Sequence, residues 1–130
     1  MVGIVLVSHS PEIASGLARL ASEVAGDDVR IEAAGGGPDG SLGTSGDTVK
    51  AAIERAEQGQ GVVVLGDLGS SILTVRSLLA DELNGTNGHV KFADAPFVEG
   101  AVAAAVVASA GLDLAEVVRA AEETRGVSKL

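Results

Sequence analysis

The sequence predicts a doubly wound α/β domain: three layers, with a mainly parallel sheet covered by helices on both faces. Short unbroken apolar runs stand at Val2–Val7 and Val62–Leu65, helical periodicity fills the segments between, and turns rich in Gly and Ser follow the runs. An uninterrupted apolar run of this length suits a strand buried on both faces. Strand and helix in regular alternation are the pattern of a parallel sheet.

The first strand is Val2–Val7 (VGIVLV). Ser-His-Ser-Pro breaks it, and Pro11 suits a helix's first turn, where its missing N–H would go unused. Ile13, Leu17, Leu20 and Val24 then recur at helical spacing and form one apolar face, and Gly26-Asp27-Asp28 ends the helix. Val29–Ala34 is a second strand, more polar and so suited to an edge. Gly35–Gly46 (GGGPDGSLGTSG) is the longest irregular stretch. A linker needs a domain on each side, and these flanks are too short, so a loop over a site is the better reading. A helix from about Asp47 to Gln58 carries Val49, Ile53 and Ala56 on one side. After the Val62–Leu65 strand, Gly66-Asp67-Leu68-Gly69-Ser70-Ser71 leads into a third helix reaching about Leu83. A short strand at Val90–Ala93 precedes Pro96. Helices from about Glu99 to Ser109 and Asp113 to Arg125 close the chain. With no internal repeat, residues 1–130 read as a single domain.

Composition narrows the class. At 130 residues the chain can hold one real core. It is 46% hydrophobic, yet only Phe92 and Phe97 are aromatic, so the core must be aliphatic. A net charge of −9 argues against nucleic acid, which needs clustered Lys and Arg, and fits neutral or basic partners. Without cysteine there is no disulfide framework and no thiolate metal site. No basic segment leads into an apolar one at the N-terminus, so no signal peptide is expected. The most apolar stretch, Ala101–Leu112, is too short to span a bilayer, so no membrane insertion is expected.

In an open parallel sheet, sites form beyond the carboxyl ends of the strands, where strand order reverses. Those ends carry Ser8, His9 and Ser10; the glycines with Leu42-Gly43-Thr44-Ser45; Asp67 with Gly69-Ser70-Ser71; and Pro96, Val98 and Glu99. In the commonest orders of this fold the first and third strands are neighbours, which sets His9 beside Asp67. A neutral imidazole attacks through one ring nitrogen, while a carboxylate on the other fixes the tautomer and offsets developing charge. Gly43-Thr44-Ser45 and Gly69-Ser70-Ser71 both stand where a helix begins, so free N–H groups and a favourable dipole can meet an anion. No Lys or Arg stands at these turns; dipoles alone would hold the anion, which suits a carrier that must release its cargo.

Each signal by itself has a plainer reading. A lone His after a strand is more often a loop or capping residue, and Asp, Ser and Gly at helix starts are ordinary caps. Together they occupy one edge of one sheet, which favours the joint functional reading. His89 starts a strand, hence lies at the opposite edge, and reads as a surface residue. GxxxxGK[ST] cannot be matched. Gly35, Gly37 and Gly40 fall at GxGxxG spacing, but the next helix is expected only from about Asp47 and not at the glycines. This stretch is therefore not read as a nucleotide fingerprint, and no bound ATP is expected.

LVSHS around His9, LGTS at 42–45, GDLGSSIL at 66–73 and APFVEGAVAA at 95–104 resemble, in this order, the mannose-class EIIA domains of the bacterial phosphotransferase system. The aspartate of GDLGSS and the APFVEG segment favour the branch of dihydroxyacetone kinase phosphotransfer subunits. The resemblance implies that His9 is phosphorylated through Nε2 and that Asp67 orients it. It implies further that Ser10, Gly43, Thr44, Ser45, Gly69, Ser70 and Ser71 cradle the phosphoryl group. It also implies a route: phosphoenolpyruvate, enzyme I, phospho-HPr, His9, then ADP held with a metal ion on a separate nucleotide-binding kinase subunit. No cofactor is expected on this chain itself. A cytoplasmic location is expected for this chain; family members are usually homodimers, and Ala101–Ala108 suits a buried helix or an interface. Some relatives continue into fused HPr-like and enzyme I-like domains, so a chain of this length is expected to use separate donors.

Three alternatives stay open: an EIIA component of a mannose-class sugar transporter; a non-catalytic regulatory module of the same fold; and a hydrolase using His9 as base with Ser8, Ser10 or Ser70. The missing GxSxG elbow weighs against the last.

Overall fold

Gly3–Ser8, six consecutive buried residues, form β1, the strand on which the sheet is centred. The computed structural model describes residues 1–81 and 88–130. In chain order follow α1 (Pro11–Ala25), β2 (Ile31–Gly35), α2 (Gly46–Ala56), β3 (Val62–Gly66), α3 (Ser70–Asp81), β4 (Val90–Phe92), α4 (Phe97–Ser109) and α5 (Leu114–Glu123), with a short 3₁₀ turn at Thr124–Gly126. The end of the third helix expected near Leu83 lies outside the described residues. Elsewhere the expected bounds hold to within about two residues, the ordinary fraying of element ends.

The sheet order is β2-β1-β3-β4 and every pairing is parallel. The expected reversal is therefore present: the chain steps from β1 to β2 on one side, then returns to place β3 on the other. The fully buried strands, β1 and β3, are central, and the more polar β2 forms an edge. β4 is short, although the Ala93 N–H extends its pairing to the Val64 carbonyl at 2.9 Å.

Alternate residues of the central strands feed two aliphatic cores. Ile4, Leu6, Val63 and Leu65 pack beneath α1, α4 and α5. Val5, Val7, Val62 and Val64 pack beneath α2 and α3. Truncating one of these fully buried side chains, such as Leu65→Ala, costs about 2–5 kcal/mol.

The inner face of α1 differs from the expected one. Ala14, Leu17 and Ala21 are buried, whereas Ile13, Leu20 and Val24 remain 47%, 43% and 42% exposed. Small residues let the helix approach the sheet closely, and that approach turns the larger aliphatics outward. Gly35 records the same closeness: a Cβ there would lie 2.7 Å from both the Ser10 carbonyl oxygen and the Pro11 Cα. The start of α1 thus rests on bare β2 backbone, which fixes the segment carrying His9. On α4, Gly100, Ala101, Ala104, Ala105 and Ala108 face the core, while Val98 and Val106 are half exposed.

Candidate functional site

Because β1 and β3 are direct neighbours, with Val7 opposite Gly66, the residues that follow them emerge together. The Asp67 N–H donates to the Val7 carbonyl at 3.1 Å, locking the two exits in register. His9 Nδ1 then lies 2.7 Å from Asp67 Oδ2. The imidazole is 31% exposed and the carboxylate only 8%.

Both carboxylate oxygens are saturated. Oδ2 also accepts from the Ser8 hydroxyl at 2.7 Å, and Oδ1 accepts from the Leu68 N–H at 2.7 Å and the Ser71 hydroxyl at 2.6 Å. Burial alone would raise the Asp67 pKa. The bonds from Ser71, Ser8, the Leu68 amide and His9 outweigh it and hold the group at about 2. Asp67 is therefore an anion at neutral pH, and a neutral His9 donates to it through Nδ1–H. That tautomer leaves the lone pair on Nε2.

The loop after β2 holds the backbone of the same residue. The Gly43 N–H donates to the His9 carbonyl at 2.8 Å, and the Gly36 N–H to the Ser8 carbonyl at 3.2 Å. Gly43 has φ +136°, a conformation that side chains resist.

The seven residues expected around the anion divide into two groups. Ser10 caps α1, with its Oγ accepting from the Ile13 N–H at 3.4 Å and donating to Glu12 Oε2 at 3.0 Å, while its own N–H goes to Ser8 Oγ at 3.0 Å. Ser45 caps α2 through the Thr48 N–H at 3.3 Å and gives its own N–H to the Gly36 carbonyl. The Gly43 amide and the Ser71 hydroxyl are engaged as described above. Thr44, Gly69 and Ser70 form the other group. The Thr44 and Ser70 hydroxyls meet at 2.8 Å, closing the gap between loop and turn. Gly69 is exposed with φ +57°. The N–H groups of Gly69 and Ser70 have no acceptor among the described residues. They open the 12-residue α3, where N–H groups and the helix dipole favour an anion.

Ser8 is the site residue the sequence reading passed over as a positioning group. Its signal was present: a hydroxyl closing an apolar strand is a buried polar group that must find a partner. No serine hydroxyl among the described residues is bonded to the His9 ring; Ser8 reaches Asp67 and Ser10 caps a helix, so the geometry offers no Ser–His pair for a hydrolase. His89 precedes β4 at the other end of the sheet, 57% exposed and 4.0 Å from Glu57. Among the described residues no cluster of three His, Cys, Asp or Glu could hold a metal, and no helix is long and apolar enough to cross a membrane.

Residues 3–118 match the sequence profile of EIIA-man, described as the PTS system fructose IIA component. The chain belongs to the EIIA-man family. Curated members similar to it include the phosphoryl donor subunit DhaM of PEP-dependent dihydroxyacetone kinase 2 from Listeria innocua, 41% identical over 82% of this chain and 85% of that one. The phosphotransferase subunit DhaM of the PTS-dependent dihydroxyacetone kinase from Lactococcus lactis is also 41% identical, over 84% of each chain. The Escherichia coli DhaM is 36% identical over 91% of this chain, which spans only 26% of that longer relative. Among solved structures, the unknown-function protein EF1359 superposes with a TM-score of 0.80 at 31% identity, covering 94% of both chains. An Enterococcus faecalis sigma-54 interaction domain protein shares the EIIA-man fold at a TM-score of 0.69 and 18% identity, over 96% of this chain and 90% of that one.

Proposed function

We propose that this chain is the phosphohistidine carrier of a phosphoenolpyruvate-dependent dihydroxyacetone kinase, loaded and unloaded at His9 Nε2. The observation that carries this reading is the 2.7 Å contact of His9 Nδ1 with an anionic Asp67, which leaves Nε2 as the nucleophile. The relatives named as DhaM supply the kinase.

On loading, the Nε2 lone pair attacks the phosphorus of phospho-HPr in line. The donor's P–N bond breaks and its electron pair returns to the donor ring. His9 keeps its Nδ1 proton, and Asp67 offsets the positive ring. The Gly69 and Ser70 amides, with the Thr44 and Ser70 hydroxyls, meet the phosphoryl oxygens. On unloading, a terminal ADP oxygen attacks the same phosphorus, the P–Nε2 bond breaks and the pair returns to Nε2. The ADP and its metal ion belong to the nucleotide-binding kinase subunit, and this chain binds no cofactor. In-line transfer rests on positioning and charge neutralisation, which that partner contributes. Leu42, Leu68 and Leu73, between 60% and 72% exposed, give approaching proteins an apolar rim. The protein works in the cytoplasm as a homodimer, for which the bare aliphatic faces of α1 and α4 are available.

Incubation with phosphoenolpyruvate, enzyme I and HPr, followed by mapping of acid-labile phosphate, tests the reading. Phosphate should sit on His9 alone and pass to ADP on the kinase subunit. Label on His89 or a serine, or rapid phosphorylation of free ADP by the isolated phosphoprotein, would overturn it.

A further inference from the structure

A cleft of about 520 Å³ opens beyond the carboxyl ends of β3 and β4, with Asp67, Ile72, Arg76, Phe92, Asp94 and Ala95 among its walls. The sequence reading finds no cation at the turns around His9. Folding brings one from further along α3, because Arg76 follows Ile72 by one helical turn and so shares its face.

The charges of the cleft can be accounted for individually. Asp67 spends both oxygens on the site. Asp94 is held by Arg125 at 2.6 Å. Arg76 is exposed and has no ion pair or side-chain hydrogen bond among the described residues. In a chain of net charge −9, an unpaired guanidinium beside the reactive pair is out of keeping with the acidic surface. Ile72 and Phe92, both half-buried, with Ala95 give the cleft an apolar lining.

We propose that Arg76 is a specificity-determining contact, pairing with a carboxylate that the phosphoryl-accepting kinase subunit inserts into this cleft. The inference rests on the carrier reading above. One guanidinium over an apolar lining matches a carboxylate on an aliphatic stem, which it can grip with two parallel hydrogen bonds. A phosphate dianion fits less well: its second charge finds no second cation in the lining, where Arg76 is the one basic side chain among the described residues. The cleft shares Asp67 with the reactive pair, so a partner large enough to engage His9 also covers it. Of the two exchange partners, the acceptor is the one dedicated to this kinase, so a charge key discriminates there.

The test uses the full chain, phosphorylated through HPr, with the kinase subunit varied in concentration. Arg76→Glu should raise the KM for the kinase subunit on the order of 10-fold and leave kcat and loading from HPr unchanged. Arg76→Lys, which keeps the charge, should recover most of the affinity, and added salt should shrink the difference between wild type and Arg76→Glu. An unchanged KM in Arg76→Glu overturns the proposal, as does a fall in kcat alone or an equal loss in loading from HPr. Wild-type protein that loads at His9 but never transfers to the kinase subunit overturns the carrier reading, and this proposal with it.

Discussion

The two rims of the site, the loop at 35–46 and the turn at 66–71, look alike in sequence and do different work. Both are glycine- and serine-rich and both open a helix. Apart from the Thr44 hydroxyl, which meets Ser70, the loop spends its groups inward: Gly36 and Gly43 hold the carbonyls of Ser8 and His9, Ser45 caps α2, and Asp39 accepts from the Ser41 amide. The turn grips the imidazole through Asp67 and keeps the Gly69 and Ser70 amides open. One rim fixes where the histidine is; the other decides what it can do. Gly and Ser at a helix start therefore do not by themselves mark an anion site, because the same groups serve equally as internal fasteners.

Substitutions on the two rims should separate these roles. The largest expected effect is on the turn: Asp67→Ala should slow phosphoryl transfer about 10²–10⁴-fold with little change in partner affinity, since orientation and charge compensation are lost together. Rapid-quench transfer kinetics measure this, and wild-type rates would reduce Asp67 to a helix cap.

On the loop, Gly43→Ala should act through the fold. A side chain at φ +136° costs about 1–3 kcal/mol, visible in chemical denaturation, with slower transfer following from a shifted His9. Slower transfer at full stability would show that Gly43 itself, and not only Thr44 of this loop, touches the moving group.

Acid separates the rims in another way. The folded Asp67 pKa of about 2 lies below the ordinary 3.8, so its stabilisation is complete above the higher value and is lost as pH falls through the lower one. Wild-type protein should lose up to about 2 kcal/mol between pH 4 and pH 2 on this account, and Asp67→Asn should lack that component. Urea titrations at stepped pH give the comparison.

The smallest effects concern single hydroxyls. Ser10→Ala should cost about 1 kcal/mol of stability as a lost cap, leaving transfer within a few-fold of wild type. A larger drop in transfer would return Ser10 to the anion-binding group.

Much of this was legible in the sequence. The apolar runs gave β1 and β3, the polar second run announced an edge, and alternation with a reversed order put His9 next to Asp67. What stayed hidden was direction. Spacing places Ser10, Ser45 and Ser71 at helix starts, but whether a hydroxyl turns toward a ligand or toward the backbone depends on neighbours brought in by tertiary packing. The same limit applies to α1. Its periodicity marks Ile13, Leu20 and Val24 as one face, yet Ala14 and Ala21 decide which side meets the sheet. Arg76 lies beyond the turns, one helical turn after Ile72, and its place beside Asp67 depends on how α3 packs against β3 and β4.

The saturated carboxylate has a further consequence, for the energetics of a reversible relay. Every lone-pair direction on Asp67 is assigned before any partner arrives, and the histidine is anchored at both its carbonyl and its ring. When the imidazole gains and loses charge during exchange, few dipoles need to turn. The reorganisation energy is therefore small in both directions, and one fixed geometry can receive the phosphoryl group from one protein and surrender it to the next.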